Sequence, residues 1–124
     1  MQNLLLPLRF DPDRLRRLLD IVGPTEARAF LTQLDRDLTD CARHLAAATL
    51  RQDWSALREA SHVLMSLAGS AGALALQDQA QALNSAAHDR NGDAMAQVYG
   101  HVAPDLSRLI DVVRATPDPF ASPR

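Results

Sequence analysis

The sequence contains no lysine, and all 13 of its basic residues are arginines. Schiff-base chemistry and a Walker-type phosphate loop both depend on a lysine amine, so both are excluded. Glutamate is almost as scarce: Glu26 and Glu59 stand alone among 15 acidic residues, and the rest are aspartates. Glu59-Ala60-Ser61-His62 has the spacing of one half of a di-iron site, but such sites draw on several further glutamates that this chain does not have. One cysteine, Cys41, cannot close an internal disulfide, and no Cys/His cluster has zinc-ligand spacing. That usage fits a reducing compartment, and the expected location is the cytoplasm. A basic excess is missing as well. With a net charge of -2 and a pI near 6.0, there is no field to displace counterions from nucleic acid or to attract an anionic membrane surface. The N-terminal apolar run, Leu4-Leu5-Leu6-Pro7-Leu8, is too short to span a bilayer and has no basic residues before it. No Gly-rich loop cradles a nucleotide, and no Ser/His/Asp arrangement points to a hydrolase.

What is there is alanine and leucine. The chain has 124 residues, of which 47% are hydrophobic and 4% aromatic, a size and balance that fit one globular domain. Straight or minimal side chains lose little rotamer freedom in a helix, and no segment reads as a strand. Asp11-Pro12 starts a first helix with Leu15, Leu18, Leu19 and Val22 on one stripe, and Gly23-Pro24 ends it. Thr25 is the expected cap of a long second helix, whose Leu31, Leu34, Leu38, Cys41, Leu45 and Ala48 alternate spacings of three and four. Asp53 caps a third helix carrying Leu57, Ala60, Leu64, Leu67, Ala68 and Ala71, with Gly72 as a left-handed stop. A fourth turns Leu76, Ala80, Leu83 and Ala87 inward. After the Asn91-Gly92 turn, Asp93 is the expected cap of a fifth, with Met95, Val98, Val102, Leu106, Leu109 and Val113 in its stripe. Pro104 lies inside that stripe and is expected to kink the helix near Gly100. Short connections make long helices antiparallel neighbours, so the fold class is all-α: an up-and-down antiparallel four-helix bundle with a short additional N-terminal helix. Residues 1–10 read as a leader segment, 11–115 as the bundle and 116–124 as a flexible tail with Pro117, Pro119 and Pro123. The expected state is a monomer.

At about 100° per residue, His62 points away from the apolar stripe of the third helix and is expected to be exposed. Ser55 and Arg58 precede it on the same face, and Met65, Ser66 and Gly69 follow at spacings of three, four and seven. Ser66 and Gly69 are small enough to leave a shallow depression beside the imidazole. On geometry alone this describes an idle surface histidine as well as a functional one. His44, His88 and His101 lie on three other helices with no shared spacing and read as surface or boundary residues. Cys41 falls in a seam and reads as a small core residue.

The stretch Ser61-His62-Val63-Leu64-Met65-Ser66-Leu67-Ala68-Gly69-Ser70-Ala71-Gly72-Ala73 resembles the signature of histidine-containing phosphotransfer (HPt) domains, roughly H-x-L-K-[GS] followed by small residues and a G-A pair. His62, Leu64 and Ser66 match its opening, and Gly72-Ala73 match the pair. The resemblance extends over about residues 11 to 115. It implies an HPt-like bundle in which His62 accepts a phosphoryl group, in a chain that is not itself an enzyme and has no nucleotide-binding domain. One position departs. Where the family usually has lysine, taken to offset phosphate charge, this chain has Met65. Arg58, one turn before His62, is the candidate substitute cation, and an ordinary solvated charge is the other reading of it. Gln81 and Asn84, on the adjoining fourth helix, are candidate hydrogen-bond donors. Met65 reads either as an adaptable docking contact or as a partly buried flank residue.

The partner so implied is a response-regulator receiver domain, with a hybrid histidine kinase as a second. The receiver would bring the acidic pocket and Mg²⁺, so this chain needs neither cofactor nor metal of its own. The alternative is an HPt-like adaptor that docks on a receiver or kinase without carrying phosphate.

Overall fold

The computed structural model describes residues 9–117 and residue 120. The Leu4–Leu8 run and most of the expected leader and tail lie outside the described residues. Five helices account for nearly all of the rest: α1 (Pro12–Val22), α2 (Ala27–Arg51), α3 (Trp54–Ala71), α4 (Leu74–His88) and α5 (Gly92–Ala115). Among the described residues there is no strand, only an isolated bridge between Phe10 and Ala73. The helices α2 to α5 pack each against the next, and α5 closes on α2 to make a four-sided bundle. α1 lies across one end of it, against α2 and α3.

The helix limits follow from local chemistry. Asp11 accepts from the Asp13 N–H at 3.1 Å and Pro12 takes the first helical position, so α1 starts where the sequence places it. Asp53 caps α3 through the Ala56 N–H at 3.1 Å. Two expected caps are displaced. Thr25 does not cap α2; the Gly23 carbonyl takes the N–H groups of Glu26 and Ala27 at 3.2 and 3.0 Å, so a backbone turn does that work and α2 begins without a side-chain cap. Asp93 sits inside the first turn of α5, because Asn91 accepts from the Ala94 N–H at 3.1 Å and is the cap itself. α5 is continuous through Pro104, which lies exposed on its outer side.

Leu38, Leu45, Leu57, Leu64, Leu76, Leu83, Val102 and Leu109 are fully buried. Within the expected stripes, Leu18, Val22, Leu31, Leu67 and Val98 are half-buried rather than interior. Cys41 is buried, its thiol 3.4 Å from the Ala60 carbonyl, and desolvation pushes that thiol up to about 11. This is the packed, unreactive cysteine expected of a seam position. Among the described residues one charged side chain is buried, Asp105, which is held by Gln79 at 3.0 Å and by an ion pair with Arg108. Buried charge has to be paired, and here two neighbours share the task.

Candidate functional site

The site is built on α3. Its buried face comprises Leu57, Ala60, Ser61, Leu64, Ala68, Gly69 and Ala71, which turns Arg58, His62, Ser66 and Ser70 outward at steps of four residues. His62 is exposed, as its helical phase predicts, near the middle of the helix. Arg58, one turn earlier, is exposed, and its guanidinium makes no ion pair among the described residues. Ser66, one turn later, is exposed and short. The imidazole is thus flanked along its own helix by a free cation and a small hydroxyl.

Three of the expected supporting residues are engaged within the bundle. Gly69 does not border an open depression. It is buried against α4, where a Cβ would come within 2.3 Å of Gln77 Nε2. Met65 is half-buried and packs against the core, so it is the flank residue of the two readings rather than a freely presented side chain. Asn84 has its amide committed: Nδ2 donates to the Arg58 carbonyl at 2.9 Å and to Ser61 Oγ at 3.1 Å. An amide nitrogen has two protons, so neither is left for a phosphate. Gln81 is exposed and keeps its amide unengaged among the described residues. Centring the helix on its leucines and alanines puts Gly69 on the outer face, whereas small residues such as Gly69 and the buried Ser61 are what let α4 approach α3 closely.

Between α2 and α3, beside His62, runs an open groove with about 590 Å³ of free volume, lined among others by Cys41, His44, Ala56, Glu59, Val63 and Leu67. Val63, next to His62 in sequence, is 45% exposed at its edge. The other histidines, His44, His88 and His101, lie exposed on α2, α4 and α5. Among the described residues no three His, Cys, Asp or Glu side chains gather as metal ligands, and no helix is long and apolar enough to cross a membrane.

A family model described as Hpt domain matches residues 27–116. The chain belongs to the Hpt domain family. That match spans α2 to α5, with the histidine helix inside it, and leaves out α1. No curated protein and no solved structure matches the chain. Hpt domains are phosphotransfer modules of two-component signalling that work with receiver domains and histidine kinases. They are carriers rather than classical catalytic domains.

Proposed function

We propose that this Hpt domain carries a phosphoryl group on His62, to or from the aspartate of a response-regulator receiver domain, as a cytoplasmic phosphorelay carrier. The observation that carries the reading is the position of His62: it stands exposed at mid-helix, within the motif stretch, between the small Ser66 and Arg58, which makes no ion pair among the described residues. A neutral imidazole has one ring nitrogen unprotonated, and that nitrogen is the nucleophile. It attacks phosphorus, the new P–N bond forms as the acyl phosphate P–O bond breaks, and the receiver keeps its carboxylate. The reverse step returns the group to a second receiver. The receiver supplies the Mg²⁺ and the acidic pocket, while this chain supplies the nucleophile, its orientation and a docking face. Arg58 is the cation that offsets phosphate charge in place of the family lysine, through a planar fork suited to phosphate oxygens. A hybrid histidine kinase is the second partner, and the chain acts as a monomer.

A second reading, a docking adaptor that carries no phosphate, is favoured by one observation. Met65 fills the lysine position with a half-buried, uncharged side chain. The two readings part in a transfer assay with the receivers of the same cell. Carrier function predicts that label leaves a phosphorylated receiver and appears on this chain. A receiver that binds the chain while no label moves establishes the adaptor.

A further inference from the structure

Along the flank of α3 that faces α4 and α1, three main-chain carbonyls take a side-chain donor in addition to their helical one. The Arg58 carbonyl accepts from Asn84 Nδ2 at 2.9 Å and from Ser61 Oγ at 3.1 Å. The Met65 carbonyl accepts from Gln77 Nε2 at 3.5 Å, and the Gly69 carbonyl from Arg14 Nη1 at 3.1 Å. Asn84 and Gln77 are seven residues apart on α4, two turns along one face. Their acceptors bracket His62: Arg58 is the residue whose carbonyl the His62 N–H meets in the i to i−4 register, and Met65 lies just under one turn beyond. Ser61, whose hydroxyl completes the first anchor, is fully buried next to His62. Gly69 serves the second, since its missing side chain makes the space in which Gln77 sits.

Apolar ridges resist separation of two helices better than they resist a small roll or slide, because dispersion contacts have little directionality. A hydrogen bond fixes both distance and angle. The geometry therefore points to a device that sets the height and rotation of the histidine turn relative to α4. We propose that Asn84, helped by Gln77, is a positioning residue for phosphoryl transfer, holding the Arg58–Met65 turn so that the His62 imidazole meets phosphorus in line. This rests on His62 being the phosphoacceptor. Neither amide touches the phosphate; both act through the backbone of α3.

The test uses the full chain, with two donors. One is the receiver that the transfer assay identifies; the other is phosphoramidate, a small ion that needs no docking face. With phosphoramidate the donor P–N bond breaks, ammonia leaves, and the new P–N bond forms at the imidazole. Asn84→Ala should lower the maximal transfer rate from the receiver about tenfold, the scale on which orientation governs a displacement. The half-saturating receiver concentration should stay within about twofold, and the rate with phosphoramidate, which aligns itself to the imidazole without docking, should stay within about twofold as well. The His62 amide, which shares its acceptor with Asn84, should exchange faster with solvent. Ser61→Ala, a smaller change, should give an intermediate loss and keeps the test open if Asn84→Ala folds poorly. Wild-type maximal rates alongside a lowered melting temperature would mean that the anchor is merely structural, and the proposal is overturned. So it is if the half-saturating concentration rises while the maximal rate holds, which would make Asn84 a docking contact. A wild type that takes phosphate from neither donor removes the carrier reading, and this proposal with it. That result differs from equal transfer by wild type and Asn84→Ala, which defeats the positioning role alone.

Discussion

Replacing Gly72 by alanine tests how α1 is held on the bundle. Gly72 closes α3 at φ 84° and ψ 16°, in the left-handed region, where a Cβ costs about 1–2 kcal/mol. That Cβ would also lie 2.5 Å from the Asp11 carbonyl oxygen and 3.3 Å from Arg14 Cβ. The first of these is backbone, tied down by the Asp11 N–H donating to the Gly72 carbonyl at 2.8 Å, so relief requires moving chain, at about 1–3 kcal/mol by analogy with overpacked cores. A less flexible unfolded chain returns up to about 1 kcal/mol. The expected net loss is about 1–5 kcal/mol. Urea melts followed by circular dichroism measure it, and amide exchange at Asp11 shows whether α1 has detached. Gly100→Ala is the contrast: Gly100 lies inside α5 with nothing within 4 Å of its would-be Cβ, so alanine should stabilise by about 0.5–1 kcal/mol. If Gly72→Ala melts within about 0.5 kcal/mol of wild type with the Asp11 amide still protected, the account of that corner is wrong.

Leu64→Ala and Leu34→Ala empty space in the bundle interior and should each cost about 2–5 kcal/mol, while exposed His62→Ala should cost under about 0.5 kcal/mol; a large loss at His62 would mean the phase of α3 is wrong. The Arg114 guanidinium, bonded to Asp35 at 2.9 Å, holds that carboxyl below its ordinary value of 3.8. Its contribution is therefore present above about 3.8 and lost as pH falls through the lower folded value, so the stability gap between wild type and Asp35→Asn should shrink on acidification below pH 4; a gap that widens contradicts the pairing. Met65→Lys should leave stability within about 0.5 kcal/mol, its stem lying where the methionine lies and its amine reaching water, and should lengthen the phosphohistidine lifetime or speed transfer. Arg58→Ala should slow transfer in wild type and do so less beside Met65→Lys; equal effects in both backgrounds would show that Arg58 does not replace the lysine.

Much of the fold was legible because the helices carry long leucine and alanine stripes and strong stops, such as Asp53 before α3 and Gly72 after it. Caps were less so. A side chain at Thr25 competes with a backbone turn from Gly23, and nothing in the local pattern says which wins. His62 could be placed by phase alone, since the leucines two residues and five residues from it point the other way. Its supporting residues could not, because which small or polar side chain faces a neighbour depends on how closely that neighbour approaches. Ser61 and Gly69 became interior positions only through α4. Asn84 turned from a donor for phosphate into an anchor for backbone for the same reason. Gln77 gave one faint sequence signal, an amide one turn before Gln81 and opposite a run of small residues.

Site-resolved labelling locates the phosphate, which the proposed carrier function puts on His62. The wild-type chain, incubated with a phosphorylated receiver, should acquire a phosphate that is labile in acid and stable in base, as a phosphoramidate linkage requires. His62→Gln should abolish it, and a chain lacking His44, His88 and His101 together should keep it. Label that persists in His62→Gln, or that maps to one of the other three histidines, would contradict the account.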